Sequence, residues 1–379
     1  MRTWEDLLAR PMDRAAILGW LRQADAGRLE LLWKAADEVR RANVGDEVHL
    51  RGLVELSNYC LRQCGYCGIR LENRAIDRYR MTVDEVMACA RMAVALGYGT
   101  VVLQAGEDYG LTRDGVVGMV RRIKAETPLA VTLSLGERPD EDLAAWREAG
   151  ADRYLLRFET SDPVLYARIH PALKGGPRAA HEAEPGEAPA EPDRFAILRR
   201  LRELGYEVGS GIMVGIPGQT YETLATDLLT FREYDLDMIG IGPFIPHPGT
   251  PLGRDAGIDA GADQAPAAED MVLRCVAITR ILCPEANIPS TTALATINRA
   301  RGREHGLQRG ANVVMPNLTP PMFRVKYEIY PSKACVEETA EECARNLDGQ
   351  IRAIGRRIGI GQGARRRHAV VRPRDPLDP

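Results

Sequence analysis

Short apolar runs alternate with longer amphipathic stretches along most of the chain. Before them, apolar residues recur at helical spacing within residues 3–42, for example at Leu7, Leu8, Ile17 and Trp20, so helices are predicted there. The stretches between the apolar runs also favour helices. The runs themselves have the length and composition of buried strands, and they lie at residues 48–56, 100–106, 129–136, 152–160, 207–216, 237–245, 287–294 and 311–317.

The order of these elements predicts an α/β fold. The stretch 81–97, for instance, has Thr82 and Glu85 at capping-box spacing and ends at Gly97, as a separate helix would. Strands that alternate with helices in this number indicate a (β/α)8 TIM-type barrel with an N-terminal helical extension and a short C-terminal extension. A partial barrel of about six strands stays open, because short strands are hard to count from one sequence.

Three regions and one insertion are predicted along the chain. The insertion is rich in Pro, Gly, Ala and Glu, which favours disorder. The polar tail from residue 361 onward contains arginines at 365–367, which favour a solvated end over contact with an acidic partner. The regions are N-terminal helices at 1–44, the barrel at 45–345 with a flexible insertion at about 174–193, and a C-terminal extension and disordered tail at 346–379.

Composition limits the classes of partner. Of the 379 residues, 45% are hydrophobic and 27% charged, and the net charge is −3. A sizeable core is therefore expected, whereas nucleic acid or an anionic membrane is not expected as a partner. No apolar run reaches the ~18 residues of a membrane span, and no signal peptide is recognisable, so a cytoplasmic protein is expected. Its eight cysteines favour metal or redox chemistry over disulfides.

The densest chemical motif follows the first predicted strand. Cys60, Cys64 and Cys67 stand in the sequence SNYCLRQCGYCGIR, close enough together to bind separate irons of one cubane 4Fe-4S cluster. A zinc site normally takes four protein ligands, and no further Cys or His follows in this stretch. One iron is therefore left open to chelate S-adenosylmethionine (SAM) and to pass an electron to its sulfonium. The alternatives are ordinary buried cysteines or half of a zinc site completed elsewhere.

This motif and its surroundings resemble a known family. The cysteine spacing is the radical SAM signature, and residues 51–82 resemble the HydE family, the FeFe-hydrogenase maturases, with methylornithine synthase and biotin synthase as relatives. The resemblance covers about residues 45–345. It recurs in the segments VLQAGED, VTLSLGE, GADRYLLRFETSDP, ELGYEVGSGIMVGIPGQT, DMIGIGPFIPHPGTPL, IPSTTAL and GANVVMPNLTP.

The resemblance also implies a SAM site. In the family, the motif that contains Glu107 faces the methionine amino group, the positions of Ser134 and Glu159 contact the ribose, and that of Met238 lies near the adenine. Arg194 corresponds to the residue that pairs with the SAM carboxylate, a task that suits a guanidinium fork. No catalytic side chain is implied beyond the cluster and SAM. The full set of implied SAM contacts is Tyr66, Gly106, Glu107, Ser134, Glu159, Arg194 and Met238.

Four of these residues also have a purely structural interpretation. Gly106 could supply only a turn, and Glu159 could cap the helix that follows it. Arg194 could be a solvated surface charge, since exposed ion pairs contribute little. Met238 could belong to the core, where a methionine on an apolar strand is more often found.

A second group of polar residues lies at and after the ends of the last two predicted strands. The resemblance implies that these residues line an internal cavity that holds the substrate or small anions. For the two threonines, packing of β-branched side chains within a strand is the alternative. The group consists of Thr291, Thr292, Asn317, Tyr327 and Tyr330.

Cys335 and Cys343 are the candidates for a second iron–sulfur cluster. Members of the family often carry a third cysteine three residues after the second, but Asn346 stands there in this chain. The ligand set is therefore incomplete, and an ordinary pair of thiols is the favoured interpretation.

The leading hypothesis for function is maturation of the FeFe-hydrogenase active-site cluster, the H-cluster, with a small cysteine-bound iron complex or another small molecule as substrate. An electron donor such as ferredoxin or flavodoxin, and other hydrogenase maturases, are the expected protein partners. A methylornithine-synthase-like rearrangement of an amino acid is the alternative, followed by a biotin-synthase-like sulfur insertion. In a different class, the chain could be a non-catalytic iron–sulfur carrier.

Overall fold

The fold consists of parallel strands that alternate with helices. The computed structural model describes residues 3–172, 193–254, 261–334 and 338–365. The strands in these ranges are β1 (Glu47–Ser57), β2 (Thr100–Ala105), β3 (Ala130–Ser134), β4 (Arg153–Leu155), β5 (Glu207–Val214), β6 (Met238–Pro243), β7 (Val313–Val314) and β8 (Arg357–Ile358). The helices are α1 (Trp4–Leu8), α2 (Arg14–Leu21), α3 (Ala26–Val44), α4 (Val83–Ala95), α5 (Arg113–Glu126), α6 (Asp140–Glu148), α7 (Pro163–Ile169), α8 (Arg194–Glu203), α9 (Tyr221–Glu233), α10 (Pro251–Arg254), α11 (Glu269–Leu282), α12 (Thr292–Ile297), α13 (Gly302–Gln308), α14 (Pro321–Arg324) and α15 (Ala340–Ala353).

The strands form one parallel sheet in the order β6-β5-β4-β3-β2-β1-β7, and β8 pairs with the start of β1. The predicted strand 287–294 lies between β6 and β7 and forms only single parallel bridges, from Asn287 to Met238 and from Pro289 to Val313. It stays short because Pro289 has no N–H to donate. These bridges link the two ends of the sheet, and the prediction of a TIM-type barrel is confirmed.

The N-terminal helices cover part of the outside of the barrel. Helix α2 packs against α9 and α11, and α3 packs against α11. Together they bury Ile17, Leu21 and Leu32 completely, which is why the apolar periodicity in this region is strong. None of the helices in the described ranges combines the length and the apolar composition needed to cross a bilayer.

The described end of the chain covers the barrel at the amino ends of its strands. The carbonyl of Gln362 accepts hydrogen bonds from Thr100 (2.9 Å) and Arg153 (3.1 Å), and that of Gly363 accepts one from Arg51 (2.9 Å). These donors lie on β2, β4 and β1. The segment therefore closes the barrel on the side opposite to the loops that follow the strands.

The first residues of the predicted tail, 361–365, form contacts with the rest of the chain. The Arg365 side chain is only 12% exposed, because it forms ion pairs with carboxylates of the same chain. Those partners are Asp235 (2.7 Å), Asp237 (3.3 Å) and Glu285 (3.5 Å). Residues 366–379 lie outside the described ranges.

Most of the predicted insertion, residues 174–192, also lies outside the described ranges. Asp193 does not belong to an unstructured segment, because its side chain caps α8 by accepting a hydrogen bond from the Phe195 N–H at 2.9 Å. The predicted domain boundary at residue 345 falls within α15.

Candidate metal and cofactor site

The three motif cysteines lie in the loop that follows β1, which we call the cysteine loop (residues 58–70). The loop has no regular secondary structure of its own, so its shape depends on bonds to its neighbours. It donates backbone hydrogen bonds to the carbonyls of Glu107 after β2 (3.0 Å), Ile169 at the end of α7 (2.8 Å) and Ile329 (2.9 Å).

The three thiols lie in a poorly solvated space, close enough to influence one another electrostatically. Burial raises the pKa of Cys64 well above its usual range, and the neighbouring thiolates of Cys60 and Cys67 raise it further. Burial likewise raises the pKa of Cys67 to about 12. The backbone N–H of Glu107 approaches the sulfur of Cys60 at 3.4 Å. Thiols in this setting stay protonated unless a bound metal deprotonates them.

The ligand set fits a cubane cluster better than a single ion. Within the described ranges, no group of three His, Cys, Asp or Glu residues is arranged to hold one metal ion. A structural zinc site needs four ligands that converge on one ion, so the half-zinc alternative finds no support there. A cubane instead takes its thiolates on separate irons, which suits three cysteines on one loop.

A cavity of about 330 Å³ extends from the cysteine loop into the barrel as far as Arg51. Its wall includes Cys67 and many of the residues predicted from the sequence. Those residues are Tyr66, Ser134, Glu159, Arg194, Met238, Thr291 and Tyr330. The predicted residues outside its wall are Cys60, Cys64, Gly106, Glu107, Thr292, Asn317, Tyr327 and Cys343.

Four charged side chains alternate in sign beside the cysteine loop, and we call them the Arg–Glu chain. Arg62 binds Glu107 (Nε to Oε1, 2.9 Å) and also Glu137, and Arg194 binds the other oxygen of Glu137 (Nε to Oε1, 2.7 Å). All four side chains are at least nine-tenths buried. Burial, followed by repulsion from Glu137, raises the pKa of Glu107. The predicted contact of Glu107 with the methionine amino group stays a prediction.

Arg194 is not a surface charge, and that alternative is wrong. It begins α8 and points inward, where it binds Glu137, the carbonyl of Arg157 and Nε2 of His170 (2.6 Å) and lies 5.6 Å from the Tyr166 ring. Burial and the positive charge of Arg194 lower the pKa of His170, so its neutral imidazole accepts this bond. The anionic partner in the structure is Glu137. Pairing with the SAM carboxylate stays a prediction.

Sequence reasoning missed Arg62, Glu137 and His170. Arg62 stands within the cysteine motif, and Glu137 follows the end of β3 by three residues. Residues after barrel strands are where such folds build their sites. That rule could have singled out Glu137, but nothing local distinguishes His170, which ends α7.

Glu159 does not cap the next helix, because Asp162 caps α7. Instead its carboxylate pairs with Arg157 at 3.1 Å, at the cavity wall. Its backbone is in the left-handed region, with φ 62°, which costs energy for a residue with a side chain. The turn thereby directs a carboxylate into the barrel, where the ribose contact is predicted.

Met238 is buried and also lines the cavity, so the core and the site interpretations describe the same position. Its sulfur accepts a hydrogen bond from Arg51 at 2.7 Å. Gly209 on β5 leaves the space for it, since a Cβ there would approach the Met238 methyl carbon to 2.6 Å. The glycines of the segment GSG, residues 209–211, lie within β5 and form no phosphate loop.

Gly106 does more than supply a turn. A Cβ at this position would overlap the carbonyl oxygen of Tyr59 and lie 2.8 Å from Cβ of Cys60. We therefore expect Gly106→Ala to displace the cysteine loop and to lower the iron bound after anaerobic reconstitution to less than half, as measured by iron analysis. Gly118→Ala in α5 is the control, because its Cβ would have no atom within 4 Å. A fully loaded Gly106→Ala protein would contradict the steric argument.

The predicted substrate group divides into two sets. Thr291 caps α12, with its hydroxyl accepting from the Leu294 N–H (3.3 Å) and donating to the Ile241 carbonyl (3.2 Å), and Thr292 begins that helix. The alternative of threonines packed within a strand is therefore wrong. Thr291 and Tyr330 line the cavity, and their contact with substrate stays a prediction.

Asn317 and Tyr327 belong to a buried network around Glu55 on β1. Asn317 donates to one Glu55 oxygen at 3.0 Å, and Lys333 donates to the other at 2.6 Å. Lys333 also binds the Tyr327 carbonyl at 3.0 Å, and the Tyr327 hydroxyl accepts from Gln104 at 3.2 Å. The two Lys333 bonds hold the segment from Tyr327 to Lys333, which carries Tyr330.

Cys343 lies on α15 within the hydrophobic core and is 2% exposed. Cys335 lies outside the described residues. We expect the double change of Cys335 and Cys343 to alanine to leave SAM cleavage largely intact, with about four irons per chain in both proteins, the content of one cubane. A count near eight that falls to four in the double variant would reveal a second cluster.

Comparison with known proteins shows the family of the chain. The profile of the Radical SAM superfamily matches residues 54–230, which defines the class of protein. The FeFe-hydrogenase maturase subunit HydE of Thermotoga maritima is 45% identical over 96% of this chain and 97% of its own. The chain therefore belongs to the radical SAM superfamily and, within it, to the family of this maturase.

More distant relatives share the fold. The 3-methylornithine synthase of Methanosarcina acetivorans is 30% identical over 76% of this chain and 74% of its own. The crystal structure of methylornithine synthase superposes with a TM-score of 0.74 at 23% identity, covering 94% of this chain and 97% of that one. The maturase HydG from Carboxydothermus hydrogenoformans gives 0.70 at 16% identity, covering 92% and 78%.

Proposed function

We propose that this protein is a radical SAM enzyme of hydrogenase maturation that acts on a small iron complex bound by cysteine. The observation that carries the proposal is the position of the cysteine loop, with its three closely spaced thiols, at one end of a cavity inside the barrel whose wall includes Cys67. Identity of 45% over nearly the whole length of a HydE maturase supports the same role.

The cluster would be held by Cys60, Cys64 and Cys67, with one iron left for SAM. When reduced, a cluster of this kind supplies the electron that splits SAM into methionine and a 5'-deoxyadenosyl radical. The chain itself holds its ligands ready: the loop is tied to three neighbouring elements, and the N–H of Glu107 lies against the Cys60 sulfur.

The remaining tasks of the protein are to orient SAM and to exclude water. We assign the SAM carboxylate to Arg194, the ribose hydroxyls to Ser134 and Glu159, and the adenine to the neighbourhood of Met238, all of which line the cavity. Closure of the opposite barrel end by residues 357–365 keeps bulk water from the radical. The cavity volume of about 330 Å³ suits small molecules, whose pockets measure roughly 300–1,000 Å³.

Rearrangement of an amino acid, as in methylornithine synthase, is the second candidate, because the relative of that name covers three quarters of the chain. A sulfur insertion that consumes a second cluster is less well supported, since Cys343 is packed in the core.

We further propose a ferredoxin or flavodoxin as electron donor and other hydrogenase maturases as partners. The cytoplasm suits cysteine ligands that must stay reduced.

Anaerobic reconstitution with iron and sulfide, followed by SAM and a reductant, tests the proposal. A radical SAM enzyme yields 5'-deoxyadenosine, an iron–sulfur carrier yields none, and a zinc protein stays colourless. The substrate class is tested by adding either a cysteine-bound iron carbonyl–cyanide complex or free amino acids. Faster 5'-deoxyadenosine formation with the iron complex supports the maturase, whereas faster formation with an amino acid favours the second candidate.

A further inference from the structure

The side chain of Arg78 binds the backbone on both sides of the three cysteines. One terminal nitrogen donates to the carbonyls of Asn58 and Ile69, the latter at 2.7 Å. The other donates to the carbonyls of Arg70 (2.7 Å) and Asn73 (3.1 Å). Since Asn58 precedes the first cysteine and Ile69 follows the last, one guanidinium joins the two ends of the cysteine loop.

We call the bonds of Arg78 to the two ends of the cysteine loop the Arg78 clasp. Asn58, at the start of the loop, binds back to the segment that carries Arg78. Its side-chain amide donates to the carbonyls of Asp77 and Lys326, both at 2.8 Å, and its oxygen accepts from the Tyr79 N–H at 2.7 Å. The segment around Arg78 is therefore held beside the start of the loop independently of the guanidinium. A change at Arg78 should loosen the loop without releasing that segment.

The guanidinium also interacts with the thiols electrostatically. Burial raises the pKa of Cys67, and the positive charge of Arg78 partly offsets that rise. Burial lowers the pKa of Arg78, and thiolates at Cys60 and Cys67 partly offset that fall. In the described part of the chain, Arg78 forms no ion pair with a carboxylate. Its hydrogen-bond partners in that part of the chain are backbone carbonyls, so its positive charge is left to act on the cysteine loop.

We propose that Arg78 is a positioning residue that holds the cysteine loop in shape and whose charge makes the bound cluster easier to reduce. The inference rests on the proposed function, because it needs a cluster on the three cysteines. Reduction adds a negative charge to a site that already carries thiolates. A half-buried cation nearby stabilises that added charge more than an exposed one does, because water and salt screen it less.

Three variants separate the effect of the Arg78 charge from that of the hydrogen bonds in the Arg78 clasp. Arg78→Gln removes the charge and most of the bonds, whereas Arg78→Lys keeps the charge but lacks the planar fork that reaches four carbonyls. Arg74→Gln is the matched control, since it removes an exposed arginine four residues earlier in the same connecting segment. Iron content and the midpoint potential of the cluster are measured without SAM, by chemical analysis and by a redox titration followed with electron paramagnetic resonance.

We expect Arg78→Gln to make one-electron reduction about tenfold less favourable, which lowers the potential by about 59 mV. Arg74→Gln should match the wild type in potential and iron. Arg78→Lys should keep the wild-type potential but lose iron to a chelator faster, because its loop is less well held.

An unchanged potential in a fully loaded Arg78→Gln protein would overturn the proposal. If Arg78→Gln takes up no iron, the lysine variant decides the question. A loaded Arg78→Lys protein with wild-type potential supports the proposal, and one that stays empty or shows a lowered potential contradicts it. A wild-type protein that binds no cluster would refute the proposed function itself, an outcome visible before any variant is compared.

Discussion

The variants Cys60→Ala, Cys64→Ala and Cys67→Ala are each expected to form no 5'-deoxyadenosine from SAM after anaerobic reconstitution. A cluster that keeps one iron open for SAM has no spare protein ligand, so the loss of one thiolate leaves two open irons and a labile cluster. No replacement is in place, since the described ranges hold no set of three metal-binding side chains around one point. Chromatographic measurement of 5'-deoxyadenosine, together with iron analysis, gives the result.

Cys283→Ala is the matched control for these variants. Cys283 is 8% exposed, as is Cys64, but it lies at the end of α11, away from the cysteine loop. Its loss should cost some stability through the small cavity it leaves and should leave product formation unchanged. Undiminished 5'-deoxyadenosine in any one of the three loop variants would contradict the cluster assignment.

The barrel could be predicted because each buried strand leaves an apolar run of typical length in the sequence. Prediction from apolar runs fails where the pairing of strands depends on backbone hydrogen bonds alone. The stretch 287–294 is apolar enough for a strand, yet it contributes single bridges at Asn287 and Pro289. The segment that closes the barrel at the amino ends of the strands binds through the carbonyls of Gln362 and Gly363. Every residue has a backbone carbonyl, so no pattern of side chains predicts this segment.

The candidate site likewise has a part that the sequence predicts and a part that it does not. The cysteine ligands are close in sequence, and their spacing alone predicts the chemistry. The Arg–Glu chain joins Arg62, Glu107, Glu137 and Arg194, which belong to four different parts of the barrel. Such a network exists only after folding. From the sequence alone, a lone arginine after a low-complexity stretch is therefore indistinguishable from a surface charge.

The burial of Arg194 leads to the second large effect. Arg194→Ala is expected to weaken SAM binding roughly ten- to hundredfold, since a charge-assisted hydrogen bond contributes about 1.5–3 kcal/mol. Bonds to Glu137, His170 and the Arg157 carbonyl engage three of its N–H donors, out of the five that a guanidinium carries. The donors that remain let Arg194 bind a carboxylate at the cavity wall without giving up Glu137. Equilibrium dialysis with reconstituted protein measures the affinity, and the cluster absorption spectrum should not change.

Two comparisons distinguish a ligand contact from a structural ion pair. Arg199→Ala removes a 56% exposed arginine from the same helix and should leave SAM affinity unaltered. Deletion of residues 176–190, which lie outside the described ranges, should also leave it unaltered. Arg194→Lys keeps the charge but not the fork, so its affinity should fall between those of the wild type and the alanine variant. If Arg194→Ala bound SAM as tightly as the wild type, the guanidinium would serve only to neutralise Glu137, and the SAM carboxylate would need another partner.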